Sequence, residues 1–166
     1  MHNIRRCRQD EQAAISHIVN AAAAAHREVI PADRWHEPYM PLAELAAEVA
    51  AGVEFWGYER EGELIGVMGI QLVRDVDLIR HAYVLPGNQR HGIGAALITQ
   101  LRSLSKRRML VGTWSDASWA IRFYQRHGFE LVAAARRAEL FEKYWKIPER
   151  QVETSVVLAN PPFSGL

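Results

Sequence analysis

The stretch from Leu78 to Leu104 constrains this chain more than any other, because it reads as strand, tight turn, glycine-rich bend and helix in immediate succession. Leu78-Ile79-Arg80-His81-Ala82-Tyr83-Val84-Leu85 is apolar and rich in β-branched and aromatic residues, the make-up of a mostly buried strand. Pro86-Gly87-Asn88 ends it, since proline cannot donate to a ladder and Gly-Asn favours a turn. From there Ile93, Leu97, Leu101 and Leu104 recur at helical spacing and build one apolar face. Lys106, Arg107 and Arg108 follow, placing positive charge where the helix dipole is negative.

Between strand and helix lies Gln89-Arg90-His91-Gly92-Ile93-Gly94. Glycines there remove side chains at a helix start, where unsatisfied N–H groups and the positive end of the dipole form an anion site that phosphate often occupies. The same residues also fit a helix start whose small residues allow close packing. The pattern is not a Walker loop, which needs Lys-Ser/Thr after the second glycine. Nor is it a complete Gly-x-Gly-x-x-Gly dinucleotide fingerprint, which needs one more glycine.

Two motifs in order narrow the reading. Gln89-x-x-Gly92-x-Gly94 follows Val84-Leu85-Pro86, and about thirty residues later comes Ala120-Ile121-Arg122-Phe123-Tyr124-Gln125-Arg126-His127-Gly128-Phe129. In this the chain resembles the GNAT superfamily of N-acetyltransferases, which carry Gln/Arg-x-x-Gly-x-Gly/Ala after a Val-x-Pro strand end and Ala-x-x-x-Tyr-x-x-x-Gly-Phe downstream. The resemblance implies a mixed α/β (α+β) domain: a mostly antiparallel sheet of about seven strands, splayed at the central strand, with about four helices. It implies acetyl-CoA as co-substrate, its pyrophosphate on the amides of Gln89, Arg90, His91, Gly92, Gly94 and Ala95. The pantetheine arm would lie along the strand edge at Val84 and Leu85, with an amide near Val84 facing the tetrahedral oxyanion. Tyr124 would protonate the departing CoA sulfur. The family often places Asn seven residues before that tyrosine; here Ala117 stands there, which removes one polar grip on the CoA arm.

A chain of 166 residues suits one domain with a sizeable core, expected over 1–160 with a loose tail at 161–166. Lys and Arg number 20 against 19 Asp and Glu, a net charge of +1, so no strong field steers nucleic acid or membrane. The lone Cys7 excludes an intrachain disulfide and suits a reducing cytosol; with no evident base beside it, it reads as structural. The N-terminus lacks a signal-peptide pattern, and no apolar run approaches the ~20 residues of a membrane span, so a cytoplasmic location is expected.

Along the chain, Asn3–Cys7 reads as a strand and Asp10–Arg27 as a helix capped by Asp10. Three prolines with Trp35, His36, Glu37 and Tyr39 then mark a loop, a candidate acceptor-binding segment. Pro41–Ala51 reads as a second helix, and Val53–Glu59 and Glu63–Leu72 as a hairpin. Gly66 and Gly69 suggest bulging or close backbone approach there. Met109–Trp114 reads as a strand, followed by a helix capped at Ser115 or Asp116 and ending at Gly128; Trp119 is read as core. Phe129–Ala133 and Gln151–Leu158 are further strands, with an irregular amphipathic segment from Ala134 to Arg150 between them.

Acyl transfer to an amine needs a neutral amine, donors for the oxyanion and a proton for the thiolate. Tyr124 is the candidate acid, since a phenol with a pKa of ~10 is protonated at neutral pH. His81 is the candidate base, with His36, Glu37 and Glu54 as rivals and a water relay as a further option. Strand alternation puts His81 on one face with Ile79 and Tyr83, and Arg80 on the other with Ala82 and Val84. No His-x-x-x-His or Cys-His spacing suggests a metal, and no basic aromatic stripe suggests nucleic acid. The expected acceptor is a small-molecule amine or an exposed amino group on a peptide. The alternative is a non-catalytic CoA or acyl-CoA sensing module. Tyr144-Trp145-Lys146-Ile147-Pro148 and the strand at Gln151–Leu158 are candidate contributors to a homodimer, with an intrachain lid as the competing reading.

Overall fold

A computed structural model describes residues 2–88 and 91–163. Seven strands form one sheet: β1 (His2–Arg6), β2 (Glu54–Arg60), β3 (Glu63–Val73), β4 (Val76–Val84), β5 (Met109–Trp114), β6 (Glu130–Leu131) and β7 (Ser155–Asn160). Their order is β1-β2-β3-β4-β5-β7-β6, and every neighbouring pair is antiparallel except β4 with β5. That parallel pair is short. Only Asp77, Leu78 and Ile79 face Met109, Leu110 and Val111; beyond them the two strands diverge, which is the expected splay at the central strand.

The buried Asp77 fixes the closed end of the splay. Its carboxylate accepts from the Ser105 hydroxyl at 2.6 Å and from the Arg107 guanidinium at 3.3 Å, while its N–H donates to the Arg108 carbonyl. A buried charge is tolerated because it is paired and hydrogen-bonded.

Helices α1 (Gln12–Ala25), α2 (Leu42–Ala50), α3 (Ile93–Leu104), α4 (Ser118–Arg126), α5 (Ala134–Tyr144) and α6 (Glu149–Glu153) cover the sheet. Alternation along the strands divides the core. Ile79, Met68 and Val111 face Ile93, Leu97 and Leu101 of α3 and Tyr124 of α4. On the opposite face Val67 and Phe55 meet Ile15, Ile18, Val19 and Leu45 of α1 and α2, and Leu78 and Leu110 meet Leu140 and Phe141 of α5. Gly66 allows the start of α3 to settle on β3, because a Cβ there would sit 2.8 Å from the Ile93 Cγ2 atom.

Several sequence expectations need correction. Asp10 makes no cap; a 3-10 turn at Gln9–Glu11 precedes α1, and Glu11 takes the capping role by accepting from the Arg8 N–H at 2.7 Å. Glu11 also binds the Arg5 guanidinium through two bonds of 2.8 Å, and Glu59 holds the other side of Arg5. Neither Ser115 nor Asp116 caps α4, whose N-cap is Ala117. Residues 134–150 are not irregular: α5 forms there, and α6 follows from Pro148, whose ring favours a helix start. The strand expected at Gln151–Leu158 therefore begins at Ser155.

Tyr144 is buried, Trp145 is half-buried against Phe141, and the Tyr144 hydroxyl donates to Asp75 at 2.6 Å. These aromatics close this chain's own core, which removes the exposed cluster behind the dimer reading. Pro161 and Pro162 accept from Arg108, and the Phe163 ring lies between the guanidinium groups of Arg108 and Arg136; residues 164–166 fall outside the described part. Cys7 is partly buried, and burial pushes its thiol up to about 12, so it stays protonated and structural. No helix among the described residues is long and apolar enough to cross a membrane.

Candidate active site

The splay between β4 and β5 is a cavity of about 740 Å³. It is walled by the diverging strands, by the first turn of α3 and the length of α4 on one face, and by the C-terminal end of α1 on the other. Of the residues singled out in sequence, Tyr124, His81, Val84, Gly92, Gly94 and Ala95 line it. Leu85 instead packs against the core clusters on both faces and donates its N–H to the Ile65 carbonyl, and His91 is exposed beside the mouth of the helix. Gln89 and Arg90 lie outside the described residues.

The two glycines serve different purposes. Gly92 is the N-cap of α3 with φ of +75°, a left-handed conformation, and open space surrounds the position its Cβ would take. No side chain caps the helix, so its first N–H groups remain available to an anion. Gly94 meets the other expectation, close packing: a Cβ there would lie 3.2 Å from the Phe123 ring of α4.

Tyr124 stands on α4 with its ring edge-on to Phe123 and Phe129. Its hydroxyl has no hydrogen-bond partner among the described residues, although the side chain is buried against the cavity. Burial pushes the phenol well above its ordinary value, so it holds its proton throughout the physiological range.

His81 is not where strand alternation puts it. Val67 pairs with Tyr83 while Gly69 pairs with Arg80, so His81 and Ala82 together oppose Met68 in a β-bulge. His81 takes φ of +53° to make it, uncommon for a residue other than glycine. The bulge separates His81 from Ile79 and brings it onto the face of Arg80. Its Nε2 lies 2.6 Å from Oε1 of Glu48 on α2, and an Arg80 guanidinium nitrogen donates to the same oxygen at 2.9 Å. Burial alone would raise the Glu48 carboxyl; the His81 hydrogen bond and the neighbouring Arg80 charge help to outweigh it and hold it below its ordinary value.

The other base candidates lie apart from the cavity wall. Glu54 accepts from the Trp56 indole and faces Arg6. Trp35, His36 and Glu37 form a small cluster of their own: the Trp35 indole donates to Glu37 at 3.1 Å, and both Trp35 and His36 stack on Tyr39. Only Tyr39 reaches cavity residues, Trp114 and Tyr83; burial raises its phenol, and its hydrogen bonds with those two oppose the rise. Trp119 is no core residue. It is 39% exposed and stacks on His26 at 4.5 Å, joining α4 to the end of α1 at the cavity edge.

Glu48, Tyr83, Trp114 and His26 were missed in sequence. Glu48 left one trace, since it follows Leu45 by three residues and so borders the apolar stripe of α2. No trio of His, Cys, Asp or Glu among the described residues is placed to hold a metal.

Comparison with known proteins agrees with this geometry. Residues 51–131 match the model of the acetyltransferase (GNAT) domain, a span that contains both the glycine turn and Tyr124. No curated protein matches. Among solved structures, the PaiA N-acetyltransferase of Thermoplasma acidophilum in complex with coenzyme A superposes with a TM-score of 0.73 at 13% identity, over 96% of this chain and 98% of that one. The ribosomal-protein-S18-alanine N-acetyltransferase of Escherichia coli gives 0.69 at 17% identity, over 96% and 92%. YncA of Salmonella typhimurium, a putative acetyltransferase with its cofactor acetyl-CoA, gives 0.62 at 26% identity, over 80% and 82%. Over residues 51–131 this chain thus matches the acetyltransferase (GNAT) domain model, and over nearly its whole length it shares the fold of these acetyltransferase structures.

Proposed function

We propose that the protein transfers an acetyl group from acetyl-CoA to a primary amine of a small molecule or an exposed amino group. The observation that carries this reading is the unpartnered hydroxyl of the buried Tyr124 in the wall of a cavity that also receives the uncapped start of α3. A sensing module would need the anion site and would leave that proton donor without a task. Coenzyme A or acetyl-CoA is bound in solved structures of this fold, and the residues here fit such a ligand: free N–H groups beside Gly92 for a phosphate, and a long gap between β4 and β5 for an extended arm.

In the reaction, the neutral amine forms the new C–N bond to the acetyl carbonyl, and collapse of the tetrahedral intermediate breaks the C–S bond. The electron pair leaves with sulfur, which takes the Tyr124 proton, and the second proton shed by the attacking nitrogen as it becomes an amide returns, by way of solvent, to the Tyr124 phenolate. His81 accepts the proton that the incoming ammonium must lose. Tyr124→Phe removes only the proton delivered in the transition state. Turnover should fall by ~10²–10⁴-fold, the usual worth of a general acid, while acetyl-CoA affinity stays nearly constant. An equally stable Phe variant that turns over at the wild-type rate would overturn the assignment.

A further inference from the structure

The base that the proposed function requires comes with a partner that neither the sequence motifs nor the fold comparison assigns. We propose that Glu48 is the positioning residue of His81, holding its ring as the Nε2–H tautomer so that Nδ1 takes the proton from the acceptor ammonium. This rests on the acetyl-transfer reading above.

Three observations converge on the pair. His81 is the residue of β4 that opens the bulge, in a backbone conformation that costs a side chain with a Cβ. Such strain persists only where surrounding contacts determine it, and the contact present is the 2.6 Å approach of Nε2 to the Glu48 carboxylate. A carboxylate only accepts, so Nε2 must carry the hydrogen, and in the neutral ring that can act as a base the lone pair falls on Nδ1. The ring belongs to the wall of the cavity that also contains Tyr124.

Glu48 itself is kept ionised. Arg80 donates to the oxygen that His81 uses, so the carboxylate sits between two donors and leaves the transferred proton on the imidazole. The proton moves from the ammonium nitrogen to Nδ1, giving an imidazolium whose charge the Glu48 carboxylate offsets; the freed amine lone pair is the nucleophile. Around this pair the charged and titratable groups are Glu48 from α2, Arg80 from β4 itself, and Tyr83 from the same strand, whose phenol is raised first by burial and further by Tyr39, Tyr124 and Glu48. From β2 the neighbour is Phe55, which stacks on the imidazole at 6.1 Å and carries no charge.

Glu48→Gln tests the arrangement. The amide keeps the size of the side chain, removes the charge, and leaves Arg80 without its counter-ion. Loss of the negative charge makes the imidazolium less stable, so the acidic limb of the kcat/KM profile should move at least one pH unit lower. The plateau should drop about tenfold, with KM for acetyl-CoA unchanged. Independently of turnover, ring-nitrogen NMR should show the Nε2–H tautomer in the wild-type protein and a mixture in Glu48→Gln. A wild-type ring in the Nδ1–H form would overturn the proposal, as would an unmoved acidic limb in a folded Glu48→Gln protein. If Tyr124→Phe is crippled while Glu48→Gln keeps the wild-type profile, acetyl transfer stands and the dyad falls. Absence of acetyl-CoA-dependent turnover in the wild-type protein would remove both.

Discussion

Arg80 and His81 are consecutive residues of one strand, yet both side chains end on the same oxygen of Glu48, at 2.9 and 2.6 Å. In a regular strand neighbours point to opposite faces. The extra residue of the bulge brings them together, and the left-handed turn at His81 is what permits it. Replacing His81 by Gly and by Ala separates backbone strain from side-chain function, since both remove the imidazole. Left-handed backbone costs a non-glycine residue about 1 kcal/mol or somewhat more. His81→Gly should therefore be the more stable of the two by about that amount, read from denaturant midpoints. Equal midpoints would contradict the strained turn.

Gly92 and Gly66 should fail in different ways. At Gly92 the space for a Cβ is open, so Gly92→Ala bears only the cost of its positive φ and should still bind CoA. Gly92→Glu adds a negative charge beside the uncapped helix start and should abolish CoA binding while leaving the fold intact. Isothermal titration with CoA on both variants decides it; undiminished affinity in a folded Gly92→Glu protein would remove the anion site.

Gly66→Ala would press a methyl to 2.8 Å from Ile93 and 3.5 Å from Leu97, both fully buried. Overpacking of this kind typically costs about 1–3 kcal/mol. Because Ile93 opens α3, the variant should lose stability and CoA affinity together, as thermal melts with and without CoA would show.

Acid sensitivity should concentrate at Glu11. Hydrogen bonds from Arg5 lower its carboxyl from an ordinary 4.5 to about 2. Because the folded-state value lies below the unfolded one, the stabilisation is complete above about pH 4.5 and is lost as pH falls towards 2. At about 1.4 kcal/mol per pH unit this amounts to about 3.5 kcal/mol at most. Glu11→Gln should lose up to that much at neutral pH and differ little from wild type near pH 2.

Much of this architecture was legible because it rests on local chemistry. The β4–turn–α3 passage, the hairpin and the close approach at Gly66 follow from turn residues, periodicity and the missing Cβ. The His81 bulge was not legible, since nothing in Ile79-Arg80-His81-Ala82 marks where a strand gains a residue; only the pairing of Val67 and Gly69 reveals it. Glu48 was hidden for a related reason, because its meaning depends on which face the bulge presents to α2. Trp119 was misjudged because a large aromatic near an apolar face resembles core, whereas its partner is His26, some ninety residues away in the chain.

The cavity occupies a parting in the sheet and is bounded from both of its sides, by α3 and α4 on one and by the end of α1 on the other. On the proposed function, donor and acceptor would approach from opposite faces of the sheet, and neither would need to vacate the gap before the other arrives. Initial-rate lines measured against both reactants should intersect, marking a ternary complex. Parallel lines, the mark of an acetylated protein formed between two half-reactions, would mean that the two approaches are never occupied together.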